Sequence, residues 1–461
     1  MSTITKIGIS RSKLSDRAGL SLIMNFIKNI GFYSLVSNKF LSKIPYSGYG
    51  LTLESFFCQM VAHFIDGTHS SICSFDRKKL SASYAPVIGI EKNELASSFQ
   101  IKRFIVKLSQ LSNSELSEIL NELFIWRLLH EKPKVIVLGV DTMVMDNNYS
   151  EKKEDNKPTY KKVKGFQPLH ISWENSLIDV LFRPGNHHSN HGNDYTERVK
   201  HIVDLIRSRY SESVPIIVCS DSGFLDEKAF NFFDQLNISF ITTGKMYKDI
   251  TSELEHIKRG DCEKYTNGTL QWDLYDFGNK LKSWSKFWRC IATSLSREED
   301  GQRVLDLSGP DNLIYTNIGK NKISDERLKK ADMSDVLTAK GIVQLSHHRG
   351  ADELIHRSLK ELATTESLPF KKFNQNKVYY YILAMSHSLF EAYKNDISYD
   401  KISDKAYPNT FRRKLIDFAG EIVEGGRNTT LRIAKEVQEE FDIKELWERC
   451  LKPPVILFTA A

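Results

Sequence analysis

The sequence lacks the cysteine patterns of small secreted or zinc-binding proteins. Its cysteines are scattered and form no Cys-x-x-Cys pair: Cys58, Cys73, Cys219, Cys262, Cys290 and Cys450. Neither a disulfide framework nor a zinc ribbon is therefore predicted. Free thiols are typical of a protein that works in a reducing compartment.

Long apolar runs are also absent. No stretch reaches the roughly 18 consecutive apolar residues that a membrane-spanning helix requires, and residues 1–12 lack the apolar run of a signal peptide. We therefore expect a soluble, intracellular protein without a membrane partner.

What is present is the composition of an ordinary globular protein. Hydrophobic residues make up 41% of the 461 residues and charged residues 26%. This length exceeds what one core usually organises, so we expect several domains. The net charge of +6 and the pI of about 8.7 permit contact with phosphate but do not require it.

Residues 14–129 follow helical periodicity, with apolar side chains recurring every three to four positions. We predict an N-terminal helical domain over residues 1–130. Its basic segments are Arg77-Lys78-Lys79 and Lys102-Arg103 with Lys107. They are either contacts for DNA phosphates or ordinary solvated helix faces.

Residues 131–245 alternate strands and helices, which predicts a mixed α/β sheet covered by helices on both faces. An apolar strand over 135–140 ends at Asp141, and a second over 214–219 is followed by Asp221. The remaining predicted elements of this segment are a hairpin over 169–173 and 177–182, helices over 194–210 and 226–236, and a strand over 238–243.

Residues 246–337 break this alternation into short polar runs with scattered aromatic residues, which predicts a β-rich insertion. The last segment, 338–461, is predicted to complete the core and to add C-terminal helices. Its predicted helices cover residues 338–364, 376–393 and 409–419.

The two strand-end aspartates suggest a metal site. Because the carboxyl ends of neighbouring strands meet at one edge of a sheet, Asp141 and Asp221 are expected to lie close together. Adjacent carboxylates repel unless a cation neutralises them, and hard divalent ions prefer such oxygen ligands. The alternative is structural, since Asp221-Ser222-Gly223 could simply cap a turn.

A third acidic residue strengthens the metal hypothesis. Arg349, Glu353 and Lys360 fall on one face of the predicted helix over 338–364. Such a stripe is either an exposed ion-pair ladder or a glutamate that completes a metal cage between phosphate-contacting basic residues. Two metal ions held in this way would activate a nucleophile and stabilise a leaving oxygen in phosphodiester cleavage.

These residues resemble the DDE transposases of bacterial insertion sequences, in the branch with a Tyr-x2-Arg-x3-Glu-x6-Lys signature. Arg349, Glu353 and Lys360 occupy the Arg, Glu and Lys positions, and Ser346 stands at the tyrosine position. Around Asp141 only the second Asp of the family's Asp-x-Asp-Ser-Thr run is kept. Further matches are Arg17-Ala18-Gly19-Leu20, Gly165-Phe166-Gln167-Pro168-Leu169, Arg183-Pro184-Gly185-Asn186 and Asp221-Ser222-Gly223-Phe224.

The resemblance implies a ribonuclease-H-like catalytic core interrupted by the β-rich insertion. It implies that Asp141, Asp221 and Glu353 are catalytic and hold two Mg²⁺ or Mn²⁺ ions. The reaction would be cut-and-paste transposition: cleavage of double-stranded DNA at the terminal inverted repeats, then strand transfer into target DNA by a homodimer.

The same resemblance implies that the helical domain over residues 1–130 binds DNA and that the protein is bacterial, cytoplasmic and associated with the nucleoid. It also assigns DNA contacts to Arg349, Lys360 and Ser346. Related enzymes often form a hairpin intermediate, in which a tryptophan of the insertion takes up a flipped base. Trp284 and Trp288 lie in the corresponding segment. For at least one of them, the alternative is burial in the core of the insertion.

Other functions stay open at this point. The chain could be a catalytically decayed or domesticated transposase that only binds DNA, or an unrelated two-metal nuclease on the same fold. His187, His188 and His191 could form a zinc site or, since no cysteine lies nearby, an ordinary polar loop.

Overall fold

The structure is a computed structural model that describes residues 4, 6–45, 50–245, 247–254, 257, 261–268, 270–295, 297–299, 302–304, 312–348, 351–426 and 428–459. Its helices are α1 Leu20–Asn29, α2 Phe32–Phe40, α3 Leu53–Asp66, α4 Ser74–Leu80, α5 Tyr84–Ile88, α6 Ser98–Leu108, α7 Asn113–Glu131, α8 Asp194–Arg209, α9 Glu227–Gln235, α10 Lys248–Leu254, α11 Lys322–Lys330, α12 Ala339–His348, α13 Ala351–Ala363, α14 Phe373–Asp396, α15 Pro408–Phe411, α16 Lys435–Phe441 and α17 Ile443–Leu451. Its strands are β1 Lys13–Ser15, β2 Ile136–Thr142, β3 Met145–Asp146, β4 Lys157–Pro158, β5 Lys164–Phe166, β6 Leu169–Trp173, β7 Ser176–Leu181, β8 Ile216–Ser220, β9 Ser239–Thr243, β10 Glu263–Asn267, β11 Leu270–Asn279, β12 Trp288–Leu295, β13 Arg297–Glu299, β14 Gln302–Val304, β15 Asn312–Thr316, β16 Gly420–Gly425 and β17 Asn428–Ile433.

The chain folds into two compact units. The first, called the helical unit below, comprises Met1–Glu122, Lys152–Glu154 and Arg357–Ala461. The second, called the sheet unit, comprises Leu123–Glu151 and Asp155–His356. The N-terminal helices therefore share a unit with the C-terminal helices, which the sequence analysis placed in a separate segment.

The sheet unit is built on a nine-stranded sheet of order β10-β11-β12-β15-β9-β8-β2-β6-β7. Strand β2 runs parallel to β8, and β8 runs parallel to β9. Strands β6 and β7 form an antiparallel hairpin beside β2, with the tight turn at Glu174 in the left-handed region, φ 52°. The sequence predicted this hairpin and these parallel strands.

The predicted β-rich insertion extends this sheet. Strand β15 pairs antiparallel with β9, and β12, β11 and β10 follow outward in antiparallel order. Because β9 would otherwise be an edge strand with unpaired backbone groups, β15 satisfies its hydrogen bonds. The insertion and the α/β core therefore share one hydrogen-bonded sheet.

Both faces of the central strands are covered, as predicted. Ile136, Leu138 and Val140 of β2 pack into one apolar cluster, which also contains α8 and α9 side chains. On the opposite face, Ile217 of β8 packs into a second cluster with α12 side chains. Successive residues of a strand point to opposite faces, so β8 and β9 contribute to both clusters.

In the helical unit, α14 is buried along nearly its whole length and packs against α3 and α6. The motif that begins at Arg17 has a structural role here. Arg17 forms ion pairs with Asp66 and Asp417, and a Cβ at Gly19 would overlap the carbonyl oxygen of Leu415. Strands β1, β16 and β17 form a small sheet that the sequence analysis did not predict.

The predicted helix over 338–364 corresponds to α12 and α13, and residues 349–350 between them lie outside the described residues. In the described part of the chain, no single helix is long and apolar enough to cross a membrane. One bent pair, Leu20–Asn29 with Phe32–Lys43, meets the length and composition criteria when the two helices are taken together.

Candidate active site

Asp141 and Asp221 lie side by side at the carboxyl edge of the central sheet. Asp141 is the next-to-last residue of β2, and Asp221 directly follows β8. The parallel register pairs Val140 with Ser220, so the two aspartates are each one step further along neighbouring strands. Neighbouring strands are about 4.8 Å apart, so the two aspartates lie in adjacent positions, as the sequence analysis expected.

Asp221 also caps the short turn that follows it. Its Oδ1 accepts a hydrogen bond from the backbone N–H of Gly223 at 2.8 Å. A Cβ at Gly223 would lie 2.7 Å from Ser189 Oγ and 2.9 Å from Asp221 Oδ1, so a larger residue here would require these side chains to shift. The turn-capping role and the proposed metal role are therefore compatible, because the cap involves one carboxylate oxygen.

A histidine that the sequence analysis did not select lies next to Asp141. His356 Nδ1 is 4.0 Å from Asp141 Oδ2, and the Asp141 side chain is 23% exposed. The His356 ring also meets the ring of His170 edge-on at 5.4 Å. His170 is the cross-strand partner of Asp141 in β6. The Glu-x2-His spacing of residues 353 and 356 is the sequence signal that could have indicated this contact.

Glu353 lies in the first turn of α13, three residues before His356, and its side chain is exposed. Residues three apart are neighbours on a helix surface, so the contact of His356 with Asp141 brings this turn of α13 to the aspartates. Among the described residues, no group of three or more His, Cys, Asp and Glu side chains is close enough to hold a metal ion. The two aspartates fit a divalent cation as adjacent oxygen donors, whereas Glu353 does not join them in the present arrangement.

Tyr160 lies near both aspartates. Its side chain is 60% exposed on the loop between β4 and β5. Partial burial raises its pKa, and the negative charges of Asp141 and Asp221 raise it further. Lys161 and Lys162 beside it are exposed. An aromatic hydroxyl therefore lies near the carboxylates, on a loop that also exposes two cationic side chains.

Two of the family-like motifs are joined in the small sheet of β3, β5 and β4 that follows Asp141. Phe166 forms a β-bridge with Pro184, and the backbone N–H of Gln167 donates to Arg183 O at 3.1 Å. A Cβ at Gly185 would overlap the carbonyl oxygens of Lys157 and Gly165. The glycine is thus required by close backbone approach.

Arg183 of the same motif is a structural residue. It is 1% exposed, donates from Nε to Gln167 O at 3.1 Å and lies 3.3 Å from Asp194. Burial lowers its pKa, which the nearby carboxylate of Asp194 counteracts. The side chain therefore links the motif to the first residue of α8.

The histidine loop does not form a zinc site among the described residues. His187 and His191 instead stack with ring centroids 3.7 Å apart, and His188 meets His191 edge-on. Burial lowers the pKa of His187, and the neighbouring His191 lowers it further. This arrangement agrees with the ordinary polar loop that was the alternative.

Both candidate base-flipping tryptophans are buried. Trp284 is 8% exposed and Trp288 is 4% exposed. Each packs edge-on against Phe230, at 5.7 and 5.6 Å between ring centroids. Both rings belong to the apolar core of the sheet unit, in agreement with the alternative of burial, and their contact with DNA stays a prediction.

The remaining predicted DNA-contacting residues are Arg349, Ser346 and Lys360. Arg349 lies outside the described residues. Ser346 is half-buried in α12 of the sheet unit. Lys360, in the helical unit, forms an ion pair with Glu366 at 2.9 Å.

Comparison with known proteins identifies the class of this chain. The model of the family described as "Transposase DDE domain group 1" matches residues 7–451. The chain belongs to this family and is a transposase.

Two further comparisons complete this result. Among solved structures, the chain is similar to a piggyBac transposase in a synaptic complex with hairpin DNA, determined by cryo-EM. The sequence identity is 14% and the TM-score 0.38, over 97% of this chain and 85% of that one. No curated protein matches the sequence.

Proposed function

We propose that this transposase cuts double-stranded DNA at the ends of a bacterial insertion sequence and joins those ends to target DNA. The observation that carries the proposal is the placement of Asp141 and Asp221 at adjacent parallel-strand ends, with His356 joining α13 to Asp141. The family match over residues 7–451 supports the same class of chemistry.

We further propose that the central strands form a ribonuclease-H-like core. The order β7-β6-β2-β8-β9 supports this, because an antiparallel trio is followed by two parallel strands with helices on both faces. In this core the acidic residues at the strand ends share one edge of the sheet.

In this proposal Asp141, Asp221 and Glu353 bind divalent metal ions, Mg²⁺ or Mn²⁺. Two such ions, when bound, would activate the attacking oxygen and stabilise the leaving oxygen of a phosphodiester. Asp141 and Asp221 supply fixed carboxylates, since the sheet and the turn at Gly223 hold their backbones. Glu353 completes the set when its exposed side chain turns toward them.

The neighbours of these acids position the DNA. Tyr160 lies near the carboxylates, and this side chain with the adjacent exposed Lys161 and Lys162 can contact phosphates beside the cleaved bond. Arg349 and Lys360, with Ser346 in place of the signature tyrosine, are proposed as further DNA contacts. A homodimer would hold two transposon ends, and the protein would act in the bacterial cytoplasm.

The test is Asp221→Asn, compared with the native chain for cleavage of DNA that carries the ends of the encoding element. An asparagine keeps an oxygen for the Gly223 N–H but loses the charge that a cation needs. We expect the variant to bind end DNA and to lose cleavage by roughly 100-fold or more.

Asp226→Asn is the matched control. Asp226 caps α9 by accepting from Lys228 N at 3.0 Å, and asparagine caps helices equally well. Its Oδ2 also accepts from Asn190 Nδ2 at 2.9 Å, and the Asn190 amide can turn to present its oxygen to the new amide. The control should cleave like the native chain. Cleavage by Asp221→Asn at the native rate would remove Asp221 from the active site.

A further inference from the structure

Helix α6 presents an outward stripe that no part of the structure covers. Its buried face consists of Ile101, Phe104, Ile105 and Leu108. The opposite face carries Phe99, Lys102, Arg103 and Val106, all exposed and spaced by three and four residues. Phe99 is 65% exposed and Val106 48% exposed, so this face mixes cations with accessible apolar groups.

Helix α4 extends the same surface. Asp76 in its first turn accepts hydrogen bonds from the backbone N–H and the hydroxyl of Ser98, at 2.9 and 2.7 Å. These bonds fix α4 to the N-terminus of α6. Beyond Asp76, α4 exposes Arg77, Lys79 and Leu80, and Leu80 is 85% exposed.

The charge of this surface is almost entirely positive. Asp76 is the one acidic residue of the two helices, and it is engaged by Ser98. Within the described part of the chain, Arg77, Lys79, Lys102 and Arg103 form no ion pair; the pairs seen there join other residues. Unpaired cations beside exposed apolar groups match the surface of duplex DNA, where phosphates flank base edges.

One basic residue of the same segment is excluded from this surface. Lys78 pairs with the buried Asp66 at 2.9 Å, and its side chain is only 10% exposed. Burial lowers its pKa, whereas Asp66 raises it. Lys78 therefore stabilises the helical unit, which separates it from its neighbours Arg77 and Lys79.

We propose that α6, with the exposed end of α4, is the surface through which the helical unit binds duplex DNA at the transposon end. The proposal rests on the proposed function, since it assumes that the chain acts on DNA. Arg77, Lys79, Lys102 and Arg103 contact phosphates, and Phe99 and Val106 contact base edges, such as thymine methyl groups, in the major groove. Arg103 lies over the Phe99 ring at 5.7 Å, which orients its guanidinium beside the apolar stripe.

The experiment measures binding of the full chain to end DNA by fluorescence anisotropy in EDTA, across a range of salt concentrations. Without metal no cleavage occurs, so binding is read independently of catalysis. Removal of two phosphate contacts in Lys102→Ala/Arg103→Ala should make the negative slope of log affinity against log salt shallower by about 2. The affinity near 0.1 M salt should fall at least about tenfold.

The matched control removes the same charge elsewhere in the helical unit. Lys435→Ala/Lys444→Ala alters two exposed lysines of α16 and α17 and should leave both slope and affinity close to native. Phe99→Ala should weaken binding to end DNA several-fold while the salt slope stays native, because it removes an apolar contact and no charge.

Three outcomes would overturn this proposal. One is a Lys102→Ala/Arg103→Ala variant that unfolds at the native temperature and still has the native slope of log affinity against log salt. Another is an equal loss in the control, which would show an effect of net charge alone. A change in sedimentation without a change in DNA binding would identify the surface as a protein interface and also contradict it. If Asp221→Asn still cleaves while the surface variants lose binding, the catalytic assignment fails and the binding surface stands.

Discussion

At the scale of single residues, the candidate site contains two acidic residues on strands and one on a helix. Asp141 and Asp221 are held by neighbouring strands, and their positions follow from the register of β2 and β8. Glu353 is carried by a helix and is exposed. A metal ion would therefore meet two preorganised ligands and one that must turn inward. His356 is the residue of α13 that contacts Asp141.

The position of His356 leads to a first prediction at this scale. His356→Ala removes the contact of α13 with Asp141 and should lower end cleavage by about 10- to 100-fold, as loss of residues that support metal ligands usually does. The Mn²⁺ concentration for half-maximal cleavage should rise, while DNA binding in EDTA stays native. His356→Gln, which keeps a polar side chain of similar reach, should recover part of the activity.

His201→Ala provides the comparison, since His201 is exposed on α8. It should have native cleavage and native metal dependence. A His356→Ala variant with an unchanged Mn²⁺ requirement would show that the histidine plays no part in positioning the site.

At the scale of elements, periodicity predicted the sheet and its hairpin because each strand is a short apolar run bounded by turns. Periodicity could not predict that β15 pairs with β9, because it identifies strands but not the strands with which they pair. The small sheet of β1, β16 and β17 was missed for a related reason. Its strands are mostly exposed, so they lack a strong apolar pattern.

The small sheet beside Asp141 gives a prediction for an element. Gly185→Ala places a methyl group against the carbonyl oxygens of Lys157 and Gly165, so the backbone must move. We expect a loss of about 1–3 kcal/mol in the free energy of unfolding, measured by urea denaturation. End cleavage should also fall, since the loop that carries Tyr160 belongs to this sheet.

Gly425→Ala is the control, because a Cβ at Gly425 would meet nothing within 4 Å. It should leave stability within about 0.5 kcal/mol of native. Equal stability of the two variants would mean that the close approach at Gly185 is not a constraint on the fold.

At the scale of the whole molecule, the sequence located the candidate catalytic acids better than it located the units. Asp141 and Asp221 follow recognisable strands, and the signature around Glu353 follows a fixed spacing. The units depend on contacts between residues hundreds of positions apart, such as Arg17 with Asp417. Local patterns hold no information on such contacts, whereas the family match spans residues 7–451 and so includes both units.

The whole molecule also explains why both candidate base-flipping tryptophans are buried. Trp284 and Trp288 were assigned by their place in the insertion, but the insertion strands continue the central sheet and its core encloses both rings. Phe99 on α6 is an exposed aromatic residue. The sequence analysis had noted only basic residues in this segment, and these could equally have been solvated.

The most direct test of the account is an end-cleavage assay with Mg²⁺ or Mn²⁺ that compares the native chain with Glu353→Gln. The account predicts that both bind end DNA and that only the native chain cleaves it. Cleavage by both would remove Glu353 from the active site and contradict the account. Cleavage by neither, with binding retained, would identify a catalytically decayed DNA-binding protein and make Ser346→Tyr the first variant to restore the signature.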